Sequence, residues 1–530
     1  MVSLSSLRDI VRRVWCLPAT GCSSSTFGNR QTSGRIAAAV VACPRPNEIG
    51  AVALFQFCRH VRQRSNAKAK FRQEVGGMMG PWIRATLLLG ASFFAVSNVE
   101  GQLPVDSPEL AARGASPVGT QTIILIDPDR ADVLEPDGVG GFKHHARKLP
   151  IEIWYPAVSA AKDVQQVTYT MPAPFLGNRK RKRVVRLSFP GKAARNAEPA
   201  VGHFPLLILS HGYNNRAIGF SDLAENLASK GYVVVAIEHG DVDPVIAGSR
   251  RASFTQVWVD RSADQRFVIA EIRRRTASSY KGVFEHIDAD KLALAGYSMG
   301  GYGAIATAGA GYDPKSSLMA QLPKAMMAGS LEDDDKPVPG LRALILFGPW
   351  GGSPATRMWS PAALSKISAP ALIIDGDRDD VADYANGVHW LFDRMAQSDR
   401  YLLSYREARH NIAMNAAPAS VSDDYLYIDK FNEPVWRKDR ILAINAHMIT
   451  AFLDLHLKGI SDRAGYLNVP APIADDGTWL LSEGEVSGDQ LAKPTGSSAT
   501  YWRGFHRRWA LGLELAHVSP AKTHGQQTRE

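Results

Sequence analysis

Lys291-Leu-Ala-Leu-Ala-Gly296-Tyr297-Ser298-Met299-Gly300-Gly301-Tyr-Gly-Ala-Ile-Ala-Thr-Ala308 runs from four apolar residues through an abrupt small-residue turn into an alanine-rich stretch. The first part reads as a buried strand and the last as a helix, so the serine sits at a strand-to-helix turn. Such a turn demands glycine at 296 and 300, because the backbones on either side approach so closely that a side chain would strike them. The turn holds the Ser298 hydroxyl clear of the sheet, facing substrate. A bare G-x-S-x-G string also arises by chance in a long chain; the flanking strand and helix give it weight here.

Outward from this turn, apolar runs at 121–126, 149–155, 205–209, 232–237, 292–295, 341–347, 369–374 and 401–405 are separated by segments of helical period, clearest at 219–230, 263–277 and 383–396. A last amphipathic stretch, 438–458, puts Ile441, Leu442, Ile449, Phe452, Leu453 and Leu457 on its apolar side. Continuous apolar strands alternating with helices predict a mostly parallel sheet covered on both faces. With the serine turn at a strand end, the expected class is the α/β-hydrolase fold over 120–460, with cap-like insertions and a C-terminal extension, 461–530, packing on it or trailing from it. Two stretches, 241–260 and 309–340, read as insertions able to cap the site or merely decorate the surface. The basic run Arg179-Lys-Arg-Lys-Arg183 reads first as a solvated loop and second as a contact for an anionic surface.

Hydrolysis through serine needs a base, a carboxylate to orient it, and donors for the oxyanion. In this fold the chain order is serine, acid, histidine. After the run at 369–374 comes Asp375-Gly376-Asp377-Arg378-Asp379-Asp380, and Asp379 is the candidate acid, with Asp375, Asp377 and Asp380 as competitors whose other role is turn chemistry. His410 follows in order, just after the run at 401–405, and is the candidate base. His389 reads as structural, and His447 and His456 as packing or surface residues of the last helix. Oxyanion donors are expected from the Met299 amide and, in Ser210-His211-Gly212-Tyr213, from the Tyr213 amide. His211 reads as a residue that orients this loop.

The N-terminal quarter is a different polymer. All four cysteines, Cys16, Cys22, Cys43 and Cys58, lie there, in no metal-site or disulfide spacing. Of 61 Lys and Arg, 12 fall in residues 1–77 against 3 of 52 Asp and Glu, so the remainder holds 49 of each sign and gives nucleic-acid binding no support. A positive start at 78–84, an apolar core at 85–96 and small residues to Gly101 have the order of a secretory signal, with a core shorter than the roughly 20 residues of a membrane span. The expectation is a signal over 78–101, a secreted or periplasmic protein, a linker at 102–119, and an upstream stretch, 1–77, that is either a misplaced start or a disordered basic leader.

With these pieces placed, the chain resembles the bacterial predicted dienelactone-hydrolase group related to the plasma-type platelet-activating-factor acetylhydrolases. The resemblance rests on Ile151-Glu-Ile-Trp-Tyr-Pro156, Ser210-His-Gly212, Leu227-Ala-Ser-Lys-Gly-Tyr-Val-Val-Val235, Ile237-Glu-His-Gly-Asp241, Arg261-Ser-Ala-Asp-Gln-Arg266 and the serine turn, over about residues 120 to 460. It implies a secreted or lipid-associated serine esterase with nucleophile, acid and base at Ser298, Asp379 and His410. Two features depart from it. The acetylhydrolases carry their acid after the sixth strand, where this chain has Phe347-Gly348-Pro349-Trp350, and dienelactone hydrolases use a cysteine nucleophile, whereas no cysteine follows Cys58. The serine turn, Gly212-Tyr213 and the acid after the seventh strand are also similar to bacterial cutinases and polyester hydrolases, whose matching Tyr and Met amides are oxyanion donors.

The leading reading is carboxylic-ester hydrolysis of a small-molecule or lipid ester through an acyl-serine, with no cofactor or metal called for and no stable membrane insertion. Acyl transfer to an alcohol is the alternative within the class. A non-catalytic binding protein of the same fold is the alternative outside it, and the filling of all three triad positions weighs against that.

Overall fold

The computed structural model describes residues 104–158, 166–174, 184–241, 254–278, 280–321, 336–422, 424–478 and 499–521. The cysteines, the signal-like stretch, the basic run at 179–183 and much of both expected insertions lie outside them.

Each continuous apolar run becomes a strand. The strands are β1 (Val118–Pro136), β2 (Phe142–Pro156), β3 (Gln166–Pro174), β4 (Val184–Arg195), β5 (Phe204–Ser210), β6 (Val233–Ile237), β7 (Ile287–Tyr297), β8 (Leu341–Phe347), β9 (Ala371–Gly376), β10 (Arg400–Tyr405) and β11 (Leu513–Val518). They form one sheet in the order β11-β10-β9-β8-β7-β5-β6-β2-β1-β4-β3. The six from β10 to β6 are parallel to their neighbours, and consecutive residues such as Leu206, Leu207, Ile208 and Leu209 are all buried. That is what a sheet covered on both faces requires: neither side of a strand meets water, so the alternation of polar and apolar residues disappears.

Helices α1 (Ser221–Ser229) and α4 (Lys438–His456) pack on one face, through Leu223, Leu227, Ile441 and Phe452. Helices α2 (Phe254–Thr276) and α3 (Met299–Thr307) pack on the other, through Val268, Ile272, Tyr302 and Ile305. Because β5 lies between β6 and β7, the chain leaves β5 for one neighbour and later enters the other. Their outgoing loops diverge, and open α/β sheets form binding crevices at such a reversal. The loop after β5 begins at His211 and the turn after β7 carries Ser298. This is the α/β-hydrolase fold.

Several expectations are corrected. The segment expected as a linker, 102–119, is packed over its described part: Leu110 N–H donates to His447 Nδ1 at 3.0 Å, Gly114 N–H to Ser229 Oγ at 2.9 Å, and Lys230 Nζ to the Leu110 carbonyl at 2.6 Å. These backbone hydrogen bonds act with the Arg113–Glu225 and Asp106–Arg437 ion pairs and the buried Ala111, too scattered a set to give a periodicity. Helix α2 begins at Phe254, inside the stretch expected as an insertion, because Val257, Trp258 and Val259 are core residues. The stretch expected as one helix over 383–396 is a single wide turn, Tyr384–Val388, leading into a short helix, His389–Arg394. The β3–β4 hairpin was not foreseen. Within the C-terminal extension, β11 joins the sheet antiparallel to β10. No helix among the described residues is long and apolar enough to cross a membrane.

Candidate active site

Ser298 carries φ 53° and ψ −114°, a conformation that residues with a Cβ rarely adopt. Strain of this kind costs of order 1–3 kcal/mol and persists only where the surroundings over-determine it. Here they do. The Ser298 N–H donates to the Phe347 carbonyl at 2.9 Å, and its carbonyl accepts from Tyr302 N–H at 2.9 Å and Trp350 N–H at 3.2 Å. A Cβ on Gly300 would lie 2.0 Å from the Ser210 carbonyl oxygen, and one on Gly296 would lie 2.3 Å from the Gly300 carbonyl. With the Ser298 carbonyl committed, the Met299 N–H of the same trans peptide points the opposite way, at the start of α3, where helix amides have no partner within the helix.

His410 Nδ1 lies 2.6 Å from Asp379 Oδ2. Facing a carboxylate, that nitrogen carries the proton and donates, which leaves Nε2 as the acceptor. Asp379 Oδ1 accepts the amides of Val381 and Ala382 at 2.7 and 2.9 Å. Burial pushes the Asp379 pKa up, but the facing His410 and the Ala382 amide more than offset it and hold the carboxyl below its ordinary value. The imidazole packs on the ring of Tyr297, centroids 5.0 Å apart, and Tyr297 Oη donates to the His410 carbonyl at 3.2 Å. The residue before the strained serine therefore supports the histidine. A Cβ on Gly348, beside Ser298 at the end of β8, would lie 3.0 Å from His410 Nδ1 and 3.1 Å from Asp379 Oδ2.

Two carboxyls that sequence reasoning did not assign complete this side. Glu433 accepts the amides on both sides of the histidine, Arg409 and Asn411, each at 2.7 Å, and Lys438 Nζ donates to the Asn411 carbonyl at 2.6 Å. Only the folded loop brings Glu433 there; no motif marks it. Asp375, at the end of β9, is fully buried, and burial together with the Asp379 charge raises its pKa well above the carboxylate range. Asp375, Asp379 and His410 hold donor atoms within 4.8 Å of one another. Asp379 has already committed both oxygens, to the His410 imidazole and to the Val381 and Ala382 amides, and Asp375 Oδ1 accepts the Gly376 amide at 2.8 Å.

The other candidates have other work. Asp377 accepts the Glu407 amide at 2.7 Å, and Asp380 pairs with Arg409 at 3.1 Å on the surface. His389 faces Asp393 at 3.3 Å and is half exposed. His447 anchors Leu110, as described above. In the loop after β5, His211 Nδ1 donates to the Gly212 carbonyl at 2.7 Å while its Nε2 accepts the His239 amide at 3.2 Å. It is an orienting residue, as expected. An apolar wall continues from Tyr213 through Phe254 to Trp350 and Tyr302, with ring centroids 5.2, 5.6 and 5.7 Å apart in turn.

A family model described as platelet-activating factor acetylhydrolase, isoform II, matches residues 144–266. Over this segment the chain is similar to these acetylhydrolases. The matched segment runs from β2 through the Ser210–Tyr213 loop to the middle of α2, and stops short of Ser298, Asp379 and His410. No curated protein matches its sequence. Among solved structures, it is similar to a ferulic acid esterase from Streptomyces cinnamoneus, with 22% identity, 67% of this chain and 94% of that chain covered, and a TM-score of 0.42.

Proposed function

We propose that the protein hydrolyses carboxylic esters through an acyl-serine intermediate, with Ser298 as nucleophile, His410 as base and Asp379 as the carboxylate that orients it. The observation that carries this reading is the buried Asp379–His410 pair seated on Tyr297, the residue that leads into the strained Ser298. His410 Nε2 takes the hydroxyl proton as Ser298 Oγ attacks the ester carbonyl; the carbonyl π electrons move to oxygen, which the Met299 and Tyr213 amides stabilise. Collapse expels the alkoxide, to which His410 returns the proton. Water then repeats the cycle on the acyl-serine and releases the acid. An alcohol in place of water would give acyl transfer. The ring wall from Tyr213 to Trp350 favours an ester with an apolar acyl or alcohol portion, small-molecule or lipid.

Active-site labelling with a fluorophosphonate, followed by turnover of p-nitrophenyl esters of increasing acyl length, tests the reading. A protein that takes up no label and turns over no ester would refute it. Asp379→Asn is expected to lower kcat by about 10⁴-fold, because the amide favours the wrong imidazole tautomer, whereas Asp377→Asn and Asp380→Asn stay within about threefold of wild type. A larger loss at either neighbour would move the acid. Export through the 78–101 signal is part of the same proposal: N-terminal sequencing of protein secreted by its own host should begin within a few residues of Gln102. Intact secreted material beginning at Met1 would refute it.

A further inference from the structure

The motif Arg261–Arg266, part of the resemblance to the acetylhydrolases, has no role in the chemistry above. Arg261 is nonetheless among the largest side chains fully withdrawn from water, at 0% exposure. Burying a guanidinium is costly, so its partners identify what it holds. Its Nη1 donates to the His211 carbonyl, and its Nη2 to the Gly212 carbonyl at 3.3 Å and to Asp241 Oδ2 at 2.5 Å. Asp241 in turn accepts the Asn214 amide at 3.3 Å. One planar group thus binds two successive carbonyls of the loop after β5 and, through Asp241, the amide just past Tyr213. One helical turn on, Gln265 Nε2 donates to the Gly300 carbonyl at 3.1 Å. Gly303 lets the two helices approach so closely that a Cβ there would lie 2.8 Å from Arg261 Cβ. Helix α2 therefore grips the loop after β5 and the first turn of α3 by their carbonyls.

In a trans peptide the carbonyl and the following N–H point in opposite directions. The Gly212 carbonyl is drawn toward α2 by Arg261, helped by His211 Nδ1 at 2.7 Å and the Asn215 amide at 3.2 Å. The N–H of that same peptide belongs to Tyr213, and it must face away from α2. A cationic donor on the carbonyl also polarises the amide and strengthens its N–H as a donor.

We propose that Arg261 is a positioning residue for oxyanion stabilisation, which fixes the 212–213 peptide so that the Tyr213 N–H is aimed at the oxygen of a substrate bound at Ser298. This assignment rests on the ester-hydrolase reading. It assigns to the Arg261–Arg266 motif a purpose distinct from the triad: the motif presets a backbone amide, so no reorganisation is needed when negative charge develops.

Arg261→Gln alone would strand the Asp241 carboxylate in the interior, so the informative variant is R261Q/D241N, which removes both charges. Its kcat on a p-nitrophenyl ester is expected to fall about 10²-fold, the cost of losing one oxyanion donor, with KM within about threefold. Affinity for a trifluoromethyl ketone, which adds Ser298 and develops an oxyanion, should fall by the same factor. Affinity for the corresponding secondary alcohol, which develops none, should not change. Arg274→Gln, at an exposed pair with Glu271 on the same helix, should leave all three readouts at wild-type values.

Unchanged kcat and ketone affinity in a folded R261Q/D241N protein would overturn the proposal, as would a loss shared equally by the alcohol, which marks general disruption of the site. Should the double variant fail to fold, R261K decides: it keeps the charge but loses the fork, and a deficit confined to kcat and ketone affinity supports the proposal while wild-type values overturn it. An active wild type with unaffected Arg261 variants removes this assignment alone. An inactive wild type removes the hydrolase reading and this assignment with it.

Discussion

Ser298→Ala is expected to abolish turnover of p-nitrophenyl acetate, a loss of about 10⁶-fold in kcat, and to eliminate fluorophosphonate labelling while the protein stays folded. The contacts that force the turn are backbone contacts: the Phe347, Tyr302 and Trp350 hydrogen bonds and the close approaches at Gly296 and Gly300. None involves the hydroxyl. Alanine keeps the Cβ that makes the positive φ costly, so the strain is carried over unchanged. Circular dichroism and melting should therefore match wild type, and turnover surviving above about 1% would remove Ser298 as nucleophile.

His410→Ala is expected to cost about as much, and adding it to Ser298→Ala to cost nothing further, since the two act as one unit. A double variant whose loss equals the product of the single losses would show that they work independently. This substitution also has a stability signature. With His410 present, the folded-state pKa of Asp379 lies below its ordinary value of about 4. The pairing therefore stabilises the fold fully above that value and is lost as pH falls through the depressed one. Without the imidazole, burial is left to push the Asp379 pKa up, so the variant should melt lower than wild type at pH 7, and the difference should shrink in acid. A constant difference from pH 7 down to pH 3 would mean that lost packing on Tyr297 accounts for it.

Which features the sequence discloses follows from how they are held. Strands β5 to β10 are buried on both faces and so appear as unbroken apolar runs, and the chemistry sits where those runs end. Ser298, Asp379 and His410 are singled out as candidates that way, each just past a strand. Tyr213 and Met299 become candidates from their place in the loops and from the resemblance to cutinases, because backbone amides need no particular side chain. Glu433 and Arg261 were not assigned. Each is a buried polar group whose partner is distant in sequence: 23 residues from His410 for Glu433, and 50 from His211 for Arg261. Such a residue looks like any other charge until the chain is folded. The packed segment before β1 stayed hidden for a related reason. Its backbone groups hold it together with isolated side-chain pairs, Arg113 to Glu225 and Asp106 to Arg437, whose partners lie far along the chain, so no local pattern sets it apart from a tether.

Gly348 has one further consequence. A side chain there would start closer than ordinary van der Waals contact to both His410 and Asp379, so the ends of β8 and β9 face the same imidazole. A carboxylate-bearing side chain at 348 would therefore compete with Asp379 for the imidazole instead of adding to it, and the bare backbone at 348 leaves that place to Asp379.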